Sequence, residues 1–435
     1  MNKATFNRDL LAFLDASPTP FHAVRTMRER LLAAGFEPLD EAAAWQPEAR
    51  GRYFVTRNDS SLIAFRLGRR PLAEDGLRMV GAHTDSPCLK LKPNAGVARH
   101  GYLQLGVEVY GGALLNPWFD RDLSLAGRVT LRARGGGLRS RLIDFARPVA
   151  TIPSLAIHLD REANTERTIN KQTMLPPVLA LGGEPLDVAA LVRRAMKETG
   201  TPGRGESLLD FELFLYDTQR AAVVGLEEAF IAAARLDNLL SCHTGLAALL
   251  DSKSAHAQLL VCNDHEEVGS GSHAGARGNF LASVLERLAG GEEAYARLIA
   301  RSMMVSTDNA HGIHPNFADK HDGQHGPLIN AGPVLKINAN QSYATNSESA
   351  AILRHAAARA KVPLQAFVTR TDMGCGSTIG PLTATALGVR TVDVGVPTFA
   401  MHSIRELAGV DDAWSLKRTL DAFFAMRDLR VEAAD

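Results

Sequence analysis

Apolar positions along the chain switch between helical and strand-like spacing. From residue 4 to residue 15 they recur with a helical period (Phe6, Leu10, Leu11, Phe13, Leu14), and Ser17-Pro18-Thr19-Pro20 stops that pattern. A second amphipathic helix is predicted from about His22 to Ala34, ended by Gly35. His22 near its start reads as a packed or capping histidine. Tyr53-Phe54-Val55 and Leu62-Ile63-Ala64-Phe65 form a predicted hairpin, and Leu77 to Ala82 a further buried strand that runs into His83-Thr84-Asp85-Ser86-Pro87. From about Asn94 glycines become dense and short alternating segments appear, such as Leu103-Gln104-Leu105 and Arg128-Val129-Thr130-Leu131. This predicts a β-rich stretch that continues to a strand at Ile157-His158-Leu159 and loosens into the polar run Asp160 to Thr173. Phe211 to Tyr216 is another strand. A helix from Leu239 to Leu250 follows, with Asp237 near its start, then the strand Leu259 to Cys262 and a helical stretch from about Asn279 to Ala300. Strands at Met303–Ser306, Leu364–Val368 and Val389–Val394 complete the pattern.

Strands alternating with helices imply an α/β fold with a mixed, largely parallel sheet flanked by helices. The β-rich stretch reads as an insertion. The predicted division is residues 1–93 and 231–435 for the α/β part and 94–230 for the inserted part. At 435 residues the chain is long enough for two or three domains' worth of core.

Composition narrows the partners. Lys plus Arg equals Asp plus Glu at 48 each, so no global field favours nucleic acid or an anionic membrane surface. No apolar run approaches the ~20 residues needed to span a bilayer. The first residues, Met1 to Leu14, mix Lys3, Arg8 and Asp9 into their apolar positions and lack a signal-peptide core. The four cysteines show no CxxC spacing and read as reduced thiols of a cytoplasmic protein.

Charge gathers where the strands stop. His83 and Asp85, Glu266 and Glu267, Asp308 and His402 all follow buried apolar runs, and Asp237 opens a helix. Ligands in open α/β sheets bind just beyond the carboxyl ends of the strands. Two adjacent glutamates there need a partner to offset desolvation, and a divalent cation supplies one. Neighbouring side chains diverge, so one glutamate binds metal and the other faces the substrate. Taken alone, the pair also fits a solvated turn. Two histidines with several carboxylates are the ligand set for zinc or a similar ion. They outnumber one closed site, which favours two metals sharing a carboxylate, with a water between them as nucleophile. A carboxylate beside that water can take its proton, which suits hydrolysis of an amide. Gly269-Ser270-Gly271-Ser272-His273-Ala274 mimics a dinucleotide fingerprint, but His265-Glu266-Glu267 stands between strand and glycines. The histidines from His311 to His325 fit a polar loop over the cleft, with His311 lining it.

The same residues resemble a known family, the aspartyl aminopeptidases, dinuclear zinc exopeptidases related to yeast vacuolar aminopeptidase I. The likeness rests on Ser17-Pro18-Thr19-Pro20-Phe21-His22, Ala82-His83-Thr84-Asp85-Ser86-Pro87, Trp118-Phe119-Asp120-Arg121-Asp122-Leu123 and Arg235-Leu236-Asp237-Asn238. It continues in Asp264-His265-Glu266-Glu267-Val268-Gly269, Ser306-Thr307-Asp308-Asn309-Ala310-His311, Gly332-Pro333-Val334-Leu335-Lys336 and Met401-His402-Ser403-Ile404-Arg405-Glu406. The resemblance implies the zinc-exopeptidase type of fold, with the inserted domain serving in dimerisation and as a lid. It implies two divalent ions, Zn2+ with Mn2+ or Co2+ as alternatives. Asp237 would bridge them, His83 and Asp308 would complete one position, and Glu267 and His402 the other. Glu266 would be the general base and Asp85 would orient His83. His158 would reach the active site of a neighbouring subunit, close to the reacting carbonyl or a metal. A homo-oligomer is implied, a dodecamer built from dimers, acting on short peptides.

Preference for N-terminal Asp or Glu would need a cation in the pocket, because a buried carboxylate must be paired. Lys336 matches the family lysine for that role, and it equally fits a surface lysine at a strand end. Tyr343, Met373, Gly374 and the loop to Thr378 would line the same cleft. Acidic-selective relatives carry Thr-Pro where this chain has Met373-Gly374, and the yeast relative prefers neutral residues. Rival readings are an aminopeptidase of neutral preference, a dinuclear deacylase or carboxypeptidase, and a non-catalytic assembly protein. The last would have lost Glu266 or a ligand, and this chain keeps them all.

Overall fold

The computed structural model describes residues 1–198 and 206–432. The chain divides into two compact units: Met1–Asp85, Ala221–Met401 and Glu406–Asp435 form the first, and Ser86–Arg220 with His402–Arg405 the second.

The first unit is built on a nine-stranded mixed sheet. Its centre is four parallel strands in the spatial order Gln258–Asn263, Arg78–His83, Met303–Thr307, Arg390–Gly395. The hairpin Arg52–Arg57/Ser61–Arg66 adds antiparallel strands on one side. Val334–Lys336 joins antiparallel on the other side, followed by Gln365–Phe367 in parallel. The central strands read as continuous apolar runs because both faces are covered. Alternate side chains serve opposite layers: Leu260 and Cys262 join the core that holds Phe6, Leu10, Leu246 and Phe423, whereas Leu259 and Val261 pack with Phe280, Val284 and Leu298. Full burial of one such leucine contributes roughly 1.5–3 kcal/mol, so both layers hold the sheet firmly.

The predicted helices lie where the spacing put them, at Lys3–Asp15, Pro20–Ala33 and Leu236–Asp251. The second starts at Pro20 rather than near His22, because Thr19 caps it and proline is tolerated in the first helical turn. His22 is buried and its Nδ1 lies 2.8 Å from the Thr19 hydroxyl. The stretch expected as one helix from Asn279 to Ala300 is two, Phe280–Ala289 and Glu292–Arg301. Gly290 ends the first in a left-handed conformation (φ 77°) that disfavours residues with a Cβ.

The second unit is a six-stranded antiparallel sheet in the order Leu138–Asp144, Leu123–Arg132, Ser207–Asp217, Cys88–Arg99, Tyr102–Tyr110, Val178–Leu181. It begins at Ser86 rather than near Asn94, because Cys88–Arg99 already pairs within this sheet. It closes at Arg220 rather than near 230, because Ala222–Val224 and Phe230–Ala233 pair with the first unit's strand Glu406–Gly409 or with each other. Val188–Glu198 is a helix that the sequence pattern did not suggest, burying Leu191, Val192, Ala195 and Met196. Ile157-His158-Leu159 is not a strand. It forms an exposed turn closed by the Leu159 N–H on the Ala156 carbonyl, and among the described residues no strand pairs with it. Among the described residues, no helix is long and apolar enough to cross a membrane, and all four cysteines are free thiols.

Candidate metal centre

Three of the four central strands end at one place. His83 is the last residue of Arg78–His83 and is 1% exposed. Its Nδ1 lies 3.0 Å from the Asp85 carbonyl oxygen, which can only accept, so Nδ1 carries a proton and Nε2 is the nitrogen turned toward the carboxylates. Nε2 stands 3.3 Å from Asp237 Oδ1, 3.7 Å from Asp308 Oδ1 and 4.0 Å from Glu266 Oε2. Behind the strand, the Cys242 thiol donates to the His83 carbonyl at 2.9 Å.

Asp308 leaves the strand Met303–Thr307 where a Cβ on Gly395 would collide with its carbonyl oxygen, so only glycine fits at 395. Asp237 sits at the head of Leu236–Asp251, in non-helical backbone (φ −81°, ψ 105°). Its N–H donates to the buried Glu406 carboxylate at 2.9 Å, and the Asn238 amide donates to the Thr307 carbonyl at 2.8 Å. Arg235, left-handed at φ 60°, donates to the carbonyls of Leu14 and Ser17 and so ties this turn to the N-terminal helix pair. Glu266 and Glu267 lie in a single turn entered through His265 (φ 62°). The Asp85 carboxylate accepts both of their backbone N–H groups, at 3.0 and 3.1 Å. Asp85 therefore fixes the glutamates as well as the histidine.

The carboxylates are crowded. Ligand atoms of His83, Asp237 and Asp308 lie within 4.8 Å of one another, as do those of His83, Glu266 and Glu267. Burial, with Asp308, Asp85 and Asp237 adding repulsion against the pull of His83, pushes Glu266 up to about 7. Burial and the Asp237 charge raise Glu267 well above the usual carboxylate range. His83 is disfavoured as a cation by burial, yet hydrogen bonds to Asp237, Asp308 and Asp85 outweigh this and raise it well above an ordinary histidine. Buried carboxylates at this density are stable together when a cation offsets them. Imidazole and carboxylate donors without a cysteine suit zinc or a comparable divalent ion, so the residues fit such an ion.

The remaining predicted residues fall in several places. Lys336 is no surface lysine: it is 2% exposed, its Nζ donates to the Asn309 carbonyl at 3.0 Å and lies 3.4 Å from Asp308 Oδ2, and it stands over the Tyr343 ring at 5.1 Å. Met373 and Gly374 line a cavity of about 330 Å³ together with His311, His314, His321 and Phe367. Phe367 is the register partner of Lys336 in the adjoining strand. His402 belongs to the second unit, where its Nδ1 lies 3.3 Å from the Gly112 carbonyl oxygen. His158 lies in the exposed turn of that unit, flanked by Ile157 and Leu159, which are 49% and 75% exposed.

Two residues escaped the sequence reading. Glu406 closed the last family motif without a role attached, and it holds the Asp237 backbone. Asp393, in Arg390–Gly395, is fully buried: it accepts the Thr378 hydroxyl and the Ala344 N–H, both at 2.7 Å, while its own N–H donates to the Thr345 hydroxyl at 3.0 Å. A Cβ on Gly380 would collide with that carboxylate. Asp393 thus joins the segment after Tyr343 to the loop that leads from Gly374 into the helix Ile379–Leu387. A lone acid inside an apolar strand gave no sequence signal beyond its oddity.

Comparison with known proteins agrees with this chemistry. Residues 13–424 match the family described as aminopeptidase I zinc metalloprotease (M18). A probable M18 family aminopeptidase 2 of Pseudomonas aeruginosa is 61% identical over 430 residues, covering 98% of this chain and 100% of the relative. Among solved structures, mApe1 of Chaetomium thermophilum superposes with a TM-score of 0.85 at 33% identity, covering 97% of this chain and 98% of that one. The dodecamer of Saccharomyces cerevisiae mApe1 gives 0.84 at 30% identity, covering 96% and 95%. The chain belongs to the M18 family of zinc aminopeptidases.

Proposed function

We propose that this aminopeptidase prefers acidic N-terminal residues of short peptides and uses Glu266 as its general base. The observation that supports the preference is Lys336, a buried cation within ion-pair distance of Asp308 and stacked on Tyr343. A lysine so placed can pair with a substrate carboxylate that would otherwise be costly to bury. His83, Asp237 and Asp308 would hold one ion, and Asp237, Glu267 and His402 a second, as the family resemblance implies. When bound, such ions supply Lewis acidity for the first peptide carbonyl and lower the pKa of an attacking water. Glu266, whose backbone N–H is held by Asp85 and whose carboxylate lies beside the ligand residues, is placed to take the proton of that water and return it to the amine that leaves as the C–N bond breaks.

His158, by the same resemblance, would reach the site of a second subunit, and its exposed turn with two apolar neighbours is consistent with burial in a homo-oligomer. The dodecameric relative supports an assembly of that kind.

A neutral preference is favoured by the apolar side of the cavity, where Phe367, Met373, Phe399 and Met401 gather. A panel of N-terminal aminoacyl anilides separates the two. Release of Asp and Glu well above Leu, abolished by chelator and restored by zinc, manganese or cobalt, is the expected result. Lys336→Met should then reverse the order of Asp and Leu. Equal or better release of Leu by the unaltered protein would refute the acidic pocket and leave the aminopeptidase.

A further inference from the structure

At the opposite end of the central strands lies a cavity of about 430 Å³ within the first unit. Six arginines line it, Arg70, Arg78, Arg301, Arg390, Arg427 and Arg430, against three acidic residues, Glu74, Asp75 and Asp428. We infer that this cavity is a binding site for a phosphate-class anion, free or carried on a small molecule. Nothing in the aminopeptidase chemistry requires it.

The site is built from within the sheet. Arg78 and Arg390 are the first residues of their strands, and both align with Met303 on the strand between them. Arg78 is 1% exposed, and its guanidinium donates to the carbonyls of Asp75 and Arg427 at 2.8 Å and of Met426 at 3.0 Å. It therefore fixes the turn after the helix Asp412–Phe424, which carries Arg427 to the cavity wall.

The carboxylates are already committed. Asp75 pairs with Arg78 at 3.4 Å, Glu74 with Arg70 at 3.5 Å and Asp428 with Arg430 at 2.6 Å. Arg390 donates to the Leu429 carbonyl, and the carboxylate it approaches, Glu348 at 3.6 Å, is not part of the cavity wall. Arg301 and Arg427 make no ion pair among the described residues. Three of these arginines thus line one cavity without a carboxylate of that cavity to balance them among the described residues. The chain as a whole carries no net charge, so this is a local excess and not a basic surface. Like charges held together in this way favour an oxyanion, and the planar fork of arginine matches phosphate oxygens two at a time. A doubly charged tetrahedral anion meets that excess better than a single carboxylate does.

The test is calorimetric titration of inorganic phosphate, and separately of adenosine monophosphate, into the metal-loaded protein in phosphate-free buffer. The comparison is with Arg301→Ala/Arg427→Ala. Both side chains are exposed, so the fold is expected to persist, and thermal melting without phosphate checks this; Arg427→Gln alone serves if the double variant melts early. One saturable site is expected, weakened at least about tenfold in the variant, as for loss of a charge-assisted hydrogen bond. Peptidase turnover in phosphate-free buffer should be unchanged by the substitutions. Equal affinity for the two probes would identify the free anion as the ligand, and tighter binding of the nucleotide a phosphorylated small molecule. No saturable site, or a site whose affinity is the same in the variant, would overturn the inference; the latter result would place the anion on the metals.

Discussion

The two ends of the central parallel strands carry opposite chemistry on the same scaffold. The carboxyl ends deliver His83, Glu266, Glu267 and Asp308 to one point, a crowd of negative charge that suits a divalent cation. The amino ends gather arginines around a cavity of their own. Between them the strands contribute mostly packed apolar side chains, with Asp393 the one buried acid, over about 20 Å, the length of six residues at the usual rise. The two ends also differ in construction. At the carboxyl ends, backbone groups are held by buried acids, Asp85 under the glutamates and Glu406 under Asp237. At the amino ends, a buried cation, Arg78, holds backbone carbonyls. Catalytic precision and structural closure are thus separated by the length of the sheet, and changes at one end should leave the other's function alone.

The sharpest way to isolate the carboxyl end is Glu266→Gln. It should lower kcat by about a hundred- to ten-thousand-fold, the usual range for a general base, while the metal content of the folded protein stays the same. Steady-state turnover with elemental analysis of the metals checks this. At the amino end, Arg78→Met removes the cation beside buried Asp75 and should cost about 3–5 kcal/mol of stability. Urea unfolding measures that loss, and kcat per folded molecule should be unaffected.

A third contrast uses pH. Burial, with help from Arg25 and Arg235, lowers His22 from the ordinary 6.5 to about 3. The unfolded chain therefore binds a proton between these values that the folded chain refuses, so stability falls as pH drops through that window. Wild type should lose about 1.4 kcal/mol per pH unit more than His22→Gln between pH 6 and 4, read from unfolding midpoints at each pH. The smallest effect is expected within the carboxyl end itself. Asp393→Asn, which slackens the joint between the Tyr343 segment and the Gly374 loop, should raise KM for acidic substrates by roughly three- to tenfold with kcat little changed. A shift in melting temperature alone, with KM intact, would reduce Asp393 to a packing residue.

The carboxyl end was legible in the sequence because each strand passes abruptly from apolar residues to charged ones. Leu259 to Cys262 giving way to Asp264-His265-Glu266-Glu267 is a local signal, and the strand hydrogen-bonding itself brings such endings together. The amino end was not legible, since its arginines come from positions 70, 78, 301, 390, 427 and 430 and only folding makes them neighbours. Lys336 shows the same limit. A lysine closing a short strand looks solvent-facing until the strands of Arg390–Gly395 and Gln365–Phe367 enclose it on either side. Ile157-His158-Leu159 misled in the other direction, because an apolar-polar-apolar triplet looks like a strand even where no strand among the described residues pairs with it. The break at Gly290-Gly291 was visible as two glycines, yet helical spacing on both sides masked it.

The link from Arg235 to Leu14 and Ser17 places the metal centre in the order of synthesis. Ser17 and Arg235 are separated by 218 positions, so the helix pair that carries Leu14 and Ser17 is made long before the arginine that grips it. Until that arginine emerges, Asp237 has no turn in which to sit. Asp308 is made later still, so the cluster can be completed only once more than 300 of the 435 residues have been synthesised.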